Sequence, residues 1–152
     1  MRTAIVGVGN GLMRDEGIGV HVARAMANAE LPEGVLVVDA GTDPDVAFDL
    51  DGYERVIVVD AVLGGGTPGT VYRFGGEVEF DASGARRASH DVRLLETLRA
   101  FGRPGEEPEI VVIGVEPEKI DWGLDLSPIV EASIPTVVEI VRQEIRRNAR
   151  RS

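Results

Sequence analysis

Glu16, Asp60 and His90 are far apart in the chain, yet each lies where an apolar run gives way to a loop or a new helix. Glu16 follows the first run, Asp60 ends the third, and His90 opens a helical stretch beyond a glycine-flanked hairpin signal. Two carboxylates and one imidazole suit a divalent metal and leave coordination positions open for further ligands. Asp39, at the end of the second run, opens Asp39-Ala40-Gly41-Thr42 and adds a third carboxylate. Each residue also has a purely local reading. Asp39 and Asp60 can cap loops, Glu16 is a favourable charge at a helix N-terminus, and His90 can be an exposed helix-start residue. His21 is five residues beyond Glu16, and helical spacing turns it off that face.

The loop Gly7 to Gly19 resembles a phosphate cradle until its other residues are read. Gly7 and Gly9 follow the apolar Ala4-Ile5-Val6, but the dinucleotide fingerprint needs a third glycine where this chain has Leu12. Asp15 and Glu16 then place two negative charges where a pyrophosphate would have to sit. A metal-contacting loop whose glycines shape the backbone presenting Glu16 fits better. No phosphate-binding loop, HExxH motif or nucleophile-elbow serine is present. The chain has no cysteine, which excludes disulfides, thiolate metal sites and a cysteine nucleophile. Its net charge of −10 argues against nonspecific nucleic-acid binding. No apolar run approaches the ~20 residues that span a bilayer. With no secretory signal after Met1, these features point to the cytoplasm.

Those candidates need a frame that gathers strand ends at one edge. Val- and Ile-rich runs at Thr3–Gly7, Val35–Asp39, Val56–Ala61 and Ile110–Val115 lack alternation. That is the pattern of parallel strands covered on both faces. Thr70–Phe74 and Glu77–Phe80 alternate more and predict an edge strand or hairpin. Helical signals fill the gaps. Gly17–Asn28 would bury Ile18, Val22, Ala25 and Met26, and Pro44–Leu50 could be capped by Thr42 or Asp43. Ser89–Ala100 follows, then a short turn at Ser127-Pro128, and a last helix from near Ser133 with Pro135 in its first turn. The expectation is a single αβα three-layer domain over residues 1–152, α/β in class, with a twisted, mostly parallel sheet. Ligands in such sheets bind beyond the carboxyl ends of the strands.

In order and spacing, these segments resemble the [NiFe]-hydrogenase maturation endopeptidases. Gly7-Val8-Gly9-Asn10 with Leu12, Asp15, Glu16, Gly17 and Gly19 resembles the family's GxGNxLxxDExxG pattern. Asp39-Ala40-Gly41-Thr42 resembles its Asp-Gly-Gly-Thr motif, with alanine replacing one glycine. Val58-Val59-Asp60-Ala61, Ser89-His90, Glu116-Pro117-Glu118, Trp122-Gly123-Leu124 and Leu126-Ser127-Pro128 match further segments. The resemblance implies removal of a C-terminal peptide from the nickel-loaded precursor of a hydrogenase large subunit. It implies Glu16, Asp60 and His90 as contacts to nickel carried by that precursor. Asp39 would serve catalysis, and Gly41 and Thr42 substrate recognition. No role passes to Asp15 or Asp91. The expected molecule is a monomer whose partner is the precursor, with no nucleic acid or membrane. A nonenzymatic metal- or partner-binding assembly module is the alternative, and a dinucleotide-binding domain a weaker one.

Overall fold

Valine and isoleucine in unbroken runs leave a strand no polar face to turn to water, so it must be covered on both sides. A computed structural model describes residues 2–75, 87–88, 105 and 108–149. It shows how the covering is done. Strands β1 (Thr3–Val8), β2 (Val35–Gly41), β3 (Arg55–Leu63), β4 (Val71–Gly75), β5 (Arg87–Ala88) and β6 (Glu109–Val115) form one sheet. Its order is β2-β1-β3-β6-β4, with β5 paired off that path to β3. The first four strands of this order are parallel, and β4 runs antiparallel along the edge of β6. β4 is the predicted edge strand. Glu77–Phe80 and the helix predicted over Ser89–Ala100 lie outside the described residues.

Alternate side chains of the same strands feed two cores. On one face Ile5, Ile57, Val59, Ile113 and Val115 pack against α1 (Ile18–Ala27) and the C-terminal helix. On the other, Ala4, Val6, Val56, Val58 and Val112 pack with Val46 and Leu50 of a 3-10 turn at Pro44–Leu50. Asp43 caps that turn by accepting from the Asp45 N–H at 2.9 Å. In α1 the buried stripe is Ile18, Val22, Ala23 and Met26, and Ala25 faces water rather than the core. Ser127 precedes the short α2 (Pro128–Glu131), and α3 (Ile134–Ala149) carries Pro135 in its first turn. The i, i+4, i+8 residues Val137, Val141 and Ile145 are its buried side. No helix among the described residues is long and apolar enough to cross a membrane.

The chain leaves β1 over one face to reach β2, then returns over the other to reach β3. β1 is therefore the switch point of the sheet, the place at which open α/β sheets generally bind their ligands. At the opposite end, Arg55 starts β3 almost fully buried. It donates to the Glu144 carbonyl at 2.7 Å and pairs with the Glu144 carboxylate, which Arg73 also reaches. Burial raises the Glu144 carboxyl, but the Arg73 hydrogen bond and the Arg55 charge outweigh it and hold the group below its ordinary value. A carboxyl depressed on folding contributes stability that is whole above its unfolded pKa and is lost as pH falls through the folded one. Glu144→Ala should leave Arg55 buried beside only the more distant Glu109 (3.8 Å) and lower unfolding free energy by about 3 kcal/mol. The difference between wild type and variant in urea titrations should shrink on acidification. A gap that stays constant with pH refutes the assignment.

Candidate functional site

Gly9 is the point around which the site is built. Its φ of 132° lies in the region that favours glycine, and a Cβ there would stand 2.0 Å from the Glu16 carbonyl oxygen and 3.2 Å from Asp60 Oδ1. The Glu16 backbone carbonyl and the Asp60 carboxylate, 44 positions apart in sequence, therefore flank one bare backbone atom. The Gly9 N–H donates to the Gly41 carbonyl at 2.8 Å, which ties the end of β2 to the same place. Gly41 itself has a positive φ of 56°. Between Gly7 and Val8 the pairing with β2 slips, from Gly7↔Asp39 to Val8↔Gly41. Ala40 is the extra residue of this bulge, a device common beside active sites. Alanine therefore takes the place of a glycine where it packs on the second core, and Gly41 supplies the left-handed turn.

The first helix is driven equally close. A Cβ on Gly7 would lie 2.1 Å from the Gly19 carbonyl, and one on Gly19 2.1 Å from the Val59 carbonyl. Gly7, Gly9 and Gly19 thus admit the protein's own backbone where a phosphate cradle would leave open space. Glu16 sits in a 3-10 turn at Arg14–Gly17 and is nearly buried, and Asp60 is wholly so. Asp60 Oδ1 accepts from the Ala61 N–H at 2.7 Å. Both residues are buried acids, a side-chain type that offers oxygen donors to a cation. No group of three His, Cys, Asp or Glu with metal-ligand geometry occurs among the described residues. His90 lies outside them. The described chain stops two residues short of it, at Ala88, which pairs with Val62, two residues past Asp60.

Asp39 is placed differently. It alternates with Val38 and Ala40, which pack on the second core, and so points to the α1 face. There its half-exposed carboxylate meets Arg24 Nε at 3.5 Å. Asp60 belongs to the other face with Val56 and Val58. The structure thus brings Glu16, Asp60, Gly9 and Gly41 together and directs Asp39 away from them. Thr42 is exposed just past Gly41.

The residue that sequence reasoning left without a role is Asp15. Its buried carboxylate accepts from the N–H groups of Glu118 (2.9 Å), Lys119 (2.8 Å) and Ser127 (2.7 Å) and from the Ser127 hydroxyl (2.7 Å). Arg14 stands next to it at φ 49°, the one positive-φ residue other than glycine among those described. Its N–H donates to the Gly123 carbonyl at 2.9 Å, and its guanidinium to the Asp125 carbonyl at 3.3 Å. The Glu16 loop is thereby laced to a segment more than a hundred residues later. Farther along, Glu116 Oε1 accepts from the N–H of Gly64, the N–H of Gly66 and the Tyr72 hydroxyl, shaping the loop beyond β3.

Burial works to raise the Asp15 carboxyl, but the hydrogen bonds from Lys119, Ser127 and Glu118 prevail and hold it below its ordinary value. Its contribution to stability is accordingly complete above the unfolded pKa, about 3.9, and is lost as pH falls through the lower folded one. Asp15→Asn replaces an acceptor with a donor among four donors and should cost about 1–3 kcal/mol. The acid-dependent part of wild-type stability should fall with it. Urea unfolding of both proteins at neutral and acid pH checks this, and equal stability at neutral pH refutes it.

The same fold recurs in solved proteins. The hydrogenase maturation endopeptidase HybD of Escherichia coli superposes with a TM-score of 0.82 at 29% identity, covering 97% of this chain and 94% of that one. HybD of Thermococcus kodakarensis, a [NiFe] hydrogenase maturation protease, gives 0.81 at 33% identity, covering 94% and 98%. In sequence, the hydrogenase 2 maturation protease of Escherichia coli is 33% identical over 151 residues, covering 96% of this chain and 92% of the relative. The hydrogenase maturation protease family matches residues 20–144. With buried Glu16 and Asp60 at the switch point of the same fold, the chain belongs to the hydrogenase maturation proteases and is a hydrolase.

Proposed function

We propose that this protease removes a short C-terminal peptide from the precursor of a [NiFe]-hydrogenase large subunit, and that nickel already seated in the precursor is what it recognises. The observation that carries the reading is the packing of the Glu16 backbone and the Asp60 carboxylate against Gly9, with both acids buried. The approach of β5 to β3, between Asp60 and His90 in the two strands' numbering, supports it. Glu16, Asp60 and His90 would contact the nickel from the protease side while the precursor keeps its own ligands on the other. Carboxylate and imidazole suit a borderline cation. Glu16 and Asp60 are both buried acids, and a cation arriving beside a buried carboxylate favours its charged form. An unloaded precursor gives them nothing to hold, so cleavage waits for nickel.

The metal then has two chemical uses beside the scissile bond. It can polarise the peptide carbonyl, or bring a bound water towards neutral pKa. Either suits a chain without cysteine. The β2 loop supplies the wall next to the metal through Gly41, held on Gly9, with Thr42 exposed for the segment to be cut. Asp39 enters as the carboxylate that steers or activates water, once substrate draws it from Arg24. An exposed pair of this kind is worth under about 1 kcal/mol and opens readily. We place the reaction in the cytoplasm, with a monomeric enzyme, a reading favoured by the lack of cysteine.

Purified protein mixed with nickel-loaded precursor should release one C-terminal peptide, read by mass spectrometry, and precursor lacking nickel should stay intact. Glu16→Gln, Asp60→Asn and His90→Gln should each fall below about a hundredth of wild-type kcat/KM, and Asp39→Asn should be affected less. Full activity in the first three sinks the nickel-contact reading. Tight binding of precursor with no cleavage in any metal state would make the chain an assembly module instead.

A further inference from the structure

Several large apolar side chains stand in water beside the Glu16 loop. Leu12 is 53% exposed, Trp122 77% and Leu124 67%, with Ile120 close by in sequence at 42%. They come from two segments that backbone hydrogen bonds hold side by side. The Gly123 N–H donates to the Leu12 carbonyl and the Arg14 N–H to the Gly123 carbonyl, both at 2.9 Å, and Met13 bridges Gly123 in parallel. Trp122 and Leu124 flank the residue that makes these bonds. Exposed apolar clusters of this kind mark interaction surfaces, and tryptophan is among the commonest anchors.

Two features say what covers it. The first is attachment: the Asp15 carboxylate grips the N–H groups at both ends of the segment carrying Trp122, Glu118 and Lys119 on one side and Ser127 on the other. Asp15 is the immediate neighbour of Glu16. A body seated on Leu12, Trp122 and Leu124 is therefore held in register with Glu16 and, across Gly9, with Asp60. A permanent occupant would crowd the edge through which a substrate must enter, so the surface suits one that comes and goes. The second feature is charge. Glu118, Asp121 and Asp125 rim the patch against Lys119 and Arg14, and Arg14 is already engaged by Asp121 at 3.7 Å. An acidic rim on a chain of net charge −10 complements an apolar patch with basic neighbours.

We propose that Leu12, Trp122 and Leu124 are the docking platform for the folded body of the precursor, engaging an apolar patch flanked by basic residues at a distance from the bond that is cut. The proposal rests on the reading of the chain as a precursor-processing endopeptidase. It assigns this surface to affinity and leaves the chemistry to the Glu16–Asp60 edge. The occupant is a protein surface rather than a second copy of this chain.

Trp122→Ser in the full-length chain should raise KM for nickel-loaded precursor about tenfold or more while kcat at saturation is unchanged. Urea stability should match wild type, because the side chain is already in water. The chain has a single tryptophan, so protein grown with 5-fluorotryptophan gives one 19F resonance. It should shift or broaden when precursor is added, and stay fixed with the excised C-terminal peptide alone. If wild type cleaves precursor normally and Trp122→Ser keeps its KM, the platform is overturned and the proposed activity stands. If wild type cleaves nothing, the activity fails, and the 19F response to precursor still decides the platform. A wild-type dimer in sedimentation that Trp122→Ser dissolves would assign the patch to self-association and overturn the proposal.

Discussion

A single buried carboxylate holds the working edge of this molecule together. Asp15 gathers four donors from residues 118–127. Its cost is desolvation, and the hydrogen bonds more than offset it, so the group stays ionised inside the fold. Without that charge, the two loops would be joined by the short Leu12–Gly123–Arg14 ladder, the Asp15 N–H on the Lys119 carbonyl, and the Arg14 side chain on Asp125 and Asp121. The 3-10 turn that carries Glu16 has no side-chain cap of its own. Its position is inherited from its neighbour. Adjacent acids thus differ in setting: Asp15 turns inward as an anchor, and the backbone of Glu16 presses on Gly9.

Glycine supplies the second constraint. At Gly7, Gly9 and Gly19 the closest atom to a would-be Cβ is a backbone oxygen about two ångströms away. The start of α1 is thereby pressed onto the ends of β1 and β3, and the Glu16 carbonyl onto Gly9. A glycine-rich loop after a first parallel strand commonly leaves room for a nucleotide's phosphates. Here the same bareness has been filled from within, by the chain's own turn. One local sequence pattern thus serves two ends, and the residues between the glycines decide which. Leu12 on the outside and two carboxylates on the inside exclude the phosphate.

The strands were readable because burial on both faces erases alternation and leaves plain runs of valine and isoleucine. Their ends were read one to two residues short. Ladder pairing carried β3 from Arg55 to Leu63, past the runs that composition shows. The parallel partners of Asp39 and Gly41 were not legible either, because the bulge at Ala40 depends on a register between strands. Ala25 was misplaced for a simpler reason. Small residues fit both stripes of an amphipathic helix, and the packing of Val22, Ala23 and Met26 settled the rotation. Glu16 and Asp60 could be found as acids at strand ends. Asp15 could not, since its partners are mostly peptide N–H groups, which every residue but proline carries. The only trace was the pair of motifs Glu116-Pro117-Glu118 and Leu126-Ser127-Pro128, which had no evident work until the fold placed them on Asp15.

The two faces of the sheet explain why acids in similar sequence settings differ in character. Asp39 and Asp60 both end valine runs, yet one residue of phase separates them. Asp60 shares the face of Val56 and Val58 and is wholly buried beside Gly9. Asp39 shares the face of α1 and rests on an arginine in water. Burial makes Asp60 costly to keep charged unless a cation or a donor is near, and that cost is what a metal-bearing substrate can relieve. Exposure makes Asp39 cheap to charge and weak as a fixed ligand. A carboxylate of the first kind responds to what enters the crevice. One of the second kind is free to follow the loop it belongs to. The bulge at Ala40 and the left-handed turn at Gly41 lie between Asp39 and the Gly9 anchor, so movement of that loop need not disturb Glu16 or Asp60. In the proposed reaction, metal contact would fall to the Glu16 and Asp60 edge and peptide handling to the end of β2.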